Sequence, residues 1–163
     1  MADHPLIETH KIRKVYGVGE GQTVALDDIT LTIPRDQFLA IMGPSGSGKS
    51  TLLQILGLLD KQSSGTYLFN GVSSEAYAED ELARLRNEHI GFVFQSFNLL
   101  PKTSVYENVL LPLIYSNVPA IQWKKRVMDS IEAVGLSHRT AHESNMLSGG
   151  EKQRVSIARA LVN

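Results

Sequence analysis

The run Gly43-Pro44-Ser45-Gly46-Ser47-Gly48-Lys49-Ser50 satisfies G-x-x-x-x-G-K-[ST] at every fixed position, and its flanks constrain the fold more than any other feature. Before it, residues 38–42 are apolar at every position, the pattern of a short strand covered on both faces in a parallel or mixed sheet. After it, residues 49–59 place leucines and an isoleucine all round a helix, which predicts a buried one. Strand, glycine loop and helix are the context the motif requires. There, glycines let successive backbone N–H groups turn toward phosphate oxygens, and the helix N-terminus adds its positive dipole end. Lys49 neutralises the outer phosphates and Ser50 can bind Mg²⁺. The competing reading is a plain glycine-rich turn. With glycine at 13 of 163 residues, an ordinary share, all four fixed positions seldom coincide by chance.

Around this centre the signals are mainly local. Ile29, Leu31 and Ile33 alternate with Thr30 and Thr32, predicting a half-buried strand that Pro34-Arg35-Asp36 then turns. A less regular strand is expected over residues 7–16. Residues 66–69 read as another, with Asn70-Gly71 providing the positive φ angles of a tight hairpin. Residues 79–87 predict a surface helix and residues 90–94 a short apolar strand. Residues 105–113, 121–134 and 139–144 read as mainly helical, separated by Pro and Gly breaks.

Composition excludes several classes of function. The formal net charge is −1, so no broad electrostatic attraction to nucleic acid is expected. There is no cysteine, which removes disulfides and thiolate metal sites, and a structural metal is not expected. Met1-Ala2-Asp3-His4-Pro5 does not resemble a secretory leader, so the chain is expected to remain in the cytoplasm. No stretch reaches the roughly 18 apolar residues that cross a bilayer; direct membrane insertion is not expected.

A second glycine motif, Leu147-Ser148-Gly149-Gly150-Glu151-Lys152-Gln153-Arg154, opens a helix on which Val155, Ala158 and Leu161 can share a face. Ser148 and Glu151 form S-x-x-E, a capping box. Taken alone, that is also how many ligand-free helices begin. Together with the phosphate loop through Thr51, and with Gln95 in Gly91-Phe92-Val93-Phe94-Gln95, it closely resembles the nucleotide-binding domains of ATP-binding-cassette (ABC) transporters. The similarity covers residues 7–163. It implies an α/β P-loop NTPase core with an antiparallel β portion and a helical subdomain, the C-terminal part of the fold being absent. In such a single incomplete domain, residues 1–95 make the β portion and phosphate-loop core, residues 96–147 the helical subdomain and residues 148–163 the signature helix.

The resemblance also implies roles. ATP and Mg²⁺ are the expected ligands, held by Gly43, Pro44, Ser45, Gly46, Ser47, Gly48, Lys49, Ser50 and Thr51. Tyr16 matches the aromatic residue that stacks on adenine, although an aromatic at a strand end can equally be packing. Gln95 matches the glutamine near Mg²⁺ and the membrane partner, and shares the catalytic assignment with Lys49; Ser50 and Gln95 are the expected metal contacts. Ser148, Gly149, Gly150 and Glu151 would meet the nucleotide held by a second copy, giving a head-to-tail homodimer. Membrane-spanning permease subunits would hold the domain at the inner face of the cell membrane. Leu56-Gly57-Leu58-Leu59-Asp60, residues 91–101 and Glu107-Asn108-Val109 look most like the macrolide-export and lipoprotein-release branch.

In that family an apolar strand ending in Asp and Glu follows the signature helix, and a switch histidine comes later. The sequence stops at Asn163. Hydrolysis is therefore not expected of these residues alone, and residues 38–42 are expected to lack the strands that flank them. The leading expectation is the ATP-binding subunit of a transporter that couples ATP binding and hydrolysis to export or extraction of a substrate. The alternative is a truncated module or gene fragment that binds ATP without hydrolysing it.

Overall fold

The computed structural model describes residues 4–163, which divide into two compact units, one ending at Leu82 and the other Ala83–Asn163. The first is built on an antiparallel sheet of order β2-β1-β3-β4. β1 (Ile7–Tyr16) lies between β2 (Thr23–Ile33) and β3 (Ser64–Phe69), and β4 (Val72–Ser73) closes the edge. The β3–β4 turn is the expected hairpin, with Asn70 at φ 53° and Gly71 at φ 77°. The β1–β2 register is interrupted between Thr9 and Val15, and Ile12, Leu26, Ile33, Tyr67 and Phe69 are buried.

α1 (Lys49–Leu56) starts at the phosphate loop and ends at Gly57, short of the expected residue 59. It buries Leu52, Ile55 and Leu56, whereas Leu53 and Leu59 are about half exposed; the apolar residues all round the helix are thus covered on one side. Residues 38–42 form no ladder among the described residues, contrary to the expected central strand. A strand exists through its neighbours' hydrogen bonds, and none pairs here: Phe38 is 95% exposed and Met42 90%.

α2 (Glu79–His89) follows as expected. The second unit packs α3 (Val105–Ile114), α4 (Ala120–Ala133) and α5 (Gly149–Leu161). Their shared core is Val105, Val109, Leu113, Val127, Ile131, Leu136, Leu147, Val155, Ala158 and Val162, with Trp123 against its edge. Val162 fills the place assigned to Leu161, which is exposed. Residues 90–94 have no regular structure and no strand partner among the described residues, and residues 139–144 are only flanked by 3₁₀ turns at Ser137–Arg139 and Ser144–Met146. The two differences have separate causes: a short apolar run does not supply a ladder partner, and a short segment gains little from helix propensity alone.

Glu107-Asn108-Val109 now has a structural account. Glu107 closes a capping box with Ser104 at the start of α3, and Ser104 holds the Glu107 carboxyl below the usual range through hydrogen bonds from its hydroxyl and its backbone N–H. Asn108 is fully buried. Its Oδ1 accepts from Leu100 N at 2.8 Å, and its Nδ2 donates to Thr103 Oγ1 at 2.7 Å and Ser104 O at 3.0 Å. One amide therefore pins the loop that leads into α3.

Candidate functional site

The phosphate-loop motif sits where β2, the loop and α1 converge. Gly48 is the N-cap of α1 at φ 84°, and a Cβ there would lie 2.4 Å from the Ala25 carbonyl oxygen and 2.9 Å from Leu26 Cδ2. Left-handed backbone and close approach to β2 together require glycine. Lys49 Nζ donates to Gly43 O at 2.9 Å and Pro44 O at 2.6 Å. The ammonium is thus folded over the loop it belongs to, on the side where α1 presents its N-terminal N–H groups. Gly43, Pro44, Ser45, Gly46, Ser47 and Ser50 are all exposed, so the loop is open to a ligand. Such a helix start attracts an anion, and a lysine at the same point adds the full charge that a polyphosphate needs. For a divalent cation the donors are oxygens. No cluster of three His, Cys, Asp or Glu occurs among the described residues; the Ser50 hydroxyl is an oxygen of the kind Mg²⁺ takes.

Tyr16, at the end of β1, belongs to the same unit. Its hydroxyl donates to Asp60 Oδ2 at 2.8 Å, Thr51 is a further hydrogen-bonding neighbour, and the Lys14 ammonium lies 4.9 Å from the ring centroid. Partial burial and the Asp60 carboxylate raise the Tyr16 phenol. Asp60 is itself pushed up by burial, but hydrogen bonds from Lys14, Tyr16 and the Lys61 backbone outweigh this and hold it below the usual carboxylate range.

Gln95 and the signature belong to the second unit. Gln95 is exposed and directly follows Phe94, whose ring stacks on that of Phe92 with centroids 5.2 Å apart. Just beyond, Phe97 (φ 61°) and Asn98 (φ 46°) are both left-handed, a conformation unfavourable for residues with a Cβ. Arg159 of α5 holds them: Nη2 donates to Phe97 O at 2.8 Å and Nη1 to Asn98 O at 2.6 Å. Gly91 approaches the same helix so closely that a Cβ would lie 2.4 Å from Ala160 O.

At the N-terminus of α5 the capping box is complete. Glu151 N donates to Ser148 Oγ at 3.3 Å, and Glu151 Oε2 accepts from Ser148 N at 2.9 Å and Ser148 Oγ at 2.7 Å. Arg139 Nε adds a bond to Glu151 Oε1 at 2.9 Å. The backbone and hydroxyl of Ser148, then Arg139, hold the Glu151 carboxyl down to about 2. Ser148, Gly149 and Gly150 are exposed, while Glu151 turns back to brace Ser148. Arg139, Arg159 and Asp60 went unrecognised in the sequence because each is a single polar residue whose partner lies elsewhere in the chain.

The model of the ABC transporter family matches residues 26–163. A macrolide export ATP-binding/permease protein MacB of Bdellovibrio bacteriovorus is 51% identical over 158 residues, covering 97% of this chain and 24% of the relative. An uncharacterized ABC transporter ATP-binding protein, YknY of Bacillus subtilis, is 47% identical over 97% of this chain and 69% of its own length. The chain thus spans about a quarter of the first relative and about two thirds of the second. Among solved structures, the dimeric bacterial ABC transporter cassette MJ0796 superposes with a TM-score of 0.89 at 42% identity, over 96% of this chain and 69% of that one. The same cassette, in a post-hydrolysis dimer bound to ADP and Pi, gives 0.89 at 41%.

Proposed function

This chain belongs to the ABC transporter family, and we propose that it is the ATP-binding part of an export-type transporter whose nucleotide cycle moves a substrate at the membrane. The observation that carries this reading is the phosphate loop: Gly48 in the left-handed region against β2, and Lys49 folded over Gly43 and Pro44 at the start of α1. In this reading the backbone of Gly43, Ser45, Gly46, Ser47 and Gly48 cradles the β- and γ-phosphates. Lys49 moves from the loop carbonyls to phosphate oxygens, and Thr51 continues the helix start. Ser50 would contact Mg²⁺, which when bound would neutralise charge on the outer phosphates.

The signature completes the site from a second copy. Ser148, Gly149 and Gly150 offer an exposed helix N-terminus suited to an anion, and Glu151 keeps Ser148 in its cap position. Two chains placed head to tail would each contribute a phosphate loop to one site and a signature to the other, so that ATP favours pairing and loss of its γ-phosphate favours separation. The dimeric form of the MJ0796 neighbour and the ATP-binding/permease name of MacB support this arrangement. Among the described residues no helix is long and apolar enough to cross a membrane; attachment to the inner face would run through a permease. Hydrolysis and transport are proposed for the whole protein.

Equilibrium binding of a fluorescent ATP analogue with Mg²⁺ tests the reading. Saturable binding that is lost in Lys49→Ala is expected. Binding unchanged by that substitution would remove the phosphate loop from the function.

A further inference from the structure

We propose that Asp60 and Lys14 are positioning residues that fix the Tyr16 ring as a one-sided platform for the adenine of bound ATP; the proposal rests on the ATP-binding reading above. Lys14 and Tyr16 are two apart on β1 and so share a face of the sheet. Asp60 lies just beyond α1, where Leu59 N and Asp60 N both return to Gln54 O, at 2.8 and 3.3 Å. Its carboxylate is therefore anchored to the helix whose other end is the phosphate loop.

The two carboxylate oxygens divide the work. Oδ2 accepts from the Tyr16 hydroxyl at 2.8 Å. Oδ1 accepts from Lys14 Nζ at 2.6 Å and from Lys61 N at 2.8 Å. Lys14 Nζ also donates to Lys61 O at 2.6 Å, and its side chain is only 12% exposed. Held in this way, the ammonium stays on one face of the Tyr16 ring, 4.9 Å from its centroid, and excludes a base from that face. Tyr16 nevertheless remains 41% exposed. A ring with a cation on one side is drained of π density and takes a flat purine on the other. A tyrosine serving only as packing has no need of an aligned hydroxyl, a buried lysine and a carboxylate that binds both.

Calorimetric titration with Mg-ATP and, separately, with Mg-tripolyphosphate divides the base contribution from the phosphate contribution. The chain is compared with Asp60→Asn, with Tyr16→Phe, which keeps the ring but loses its tether, and with the double variant. Each single change is expected to weaken ATP about three- to tenfold, within the range of base stacking, and to leave tripolyphosphate unchanged. The double variant should be no weaker than either single one, since both break the same contact. Equal weakening of both ligands would make Asp60 a general support of the phosphate loop and overturn the proposal, as would unchanged ATP affinity in Tyr16→Phe. A wild-type chain that binds tripolyphosphate as tightly as ATP would overturn the platform but keep the phosphate site. One that binds neither would overturn both.

Discussion

Arg139 Nε lies 2.9 Å from Glu151 Oε1, so the acid that closes the signature capping box is neutralised from the turn that precedes it. The pairing matters because Glu151 stands in the first turn of a helix whose N-terminus is proposed to meet a phosphate. An uncompensated carboxylate there would oppose the anion it helps to receive.

A pH dependence follows. Glu151 is lowered from 4.5 to about 2, so its stabilising effect is complete above pH 4.5 and lost as pH falls toward 2. Glu151→Gln keeps an acceptor for Ser148 but removes this titration, and thermal unfolding between pH 4.5 and 2 should become less steep in pH. Arg139→Gln should raise the Glu151 midpoint, read by NMR of its carboxyl carbon. A midpoint unmoved by loss of Arg139 would show that the ion pair contributes nothing.

At the phosphate loop, Gly48→Ala combines positive φ with a Cβ 2.4 Å from Ala25 O. The cost is expected to reach at least about 2 kcal/mol, visible as a lowered Tm. A variant as stable as the parent would show that this backbone relaxes freely.

Arg159→Met should release the strained residues Phe97 and Asn98. Hydrogen bonds from a charged donor contribute about 1.5–3 kcal/mol each, so amide exchange over residues 96–99 should quicken by at least about tenfold. Unchanged exchange would mean that Asn108, rather than Arg159, holds the loop.

Phe38 and Met42 are 95% and 90% exposed, in a segment with no strand partner among the described residues. Such a surface promotes association. Phe38→Lys and Met42→Lys should reduce light scattering on warming, while changing stability by no more than about 0.5 kcal/mol. Unaltered scattering would place the association elsewhere.

The parts readable from the sequence are those written in neighbouring residues. The helix start at Lys49, the Asn70-Gly71 turn and the Ser148–Glu151 capping box are local devices, and each appears at its expected residues. Residues 38–42 and 90–94 were less legible, because apolar side chains report burial whereas a strand is defined by its partner. The 139–144 segment misled for another reason. Its polar residues serve long-range contacts, with Val105 N donating to His142 O and Tyr106 N to Thr140 O, instead of a helix of their own. Arg159 reaches Phe97, and Asp60 reaches Tyr16, across stretches of chain whose course no local spacing announces.

The pairing of Ile7 with both Ile33 and Phe69 also orders events during synthesis. β1 and β2 can join as soon as both have left the ribosome, but β3 must wait for residues 64–69. Everything between β2 and β3, including the phosphate loop, is a closed excursion from one strand to another that must find the far edge of β1. The entropy of that closure is met only when the second ladder forms. The phosphate loop therefore belongs to a segment whose two flanking strands can both be held in the sheet only after residues 64–69 have emerged, although its own residues are made first.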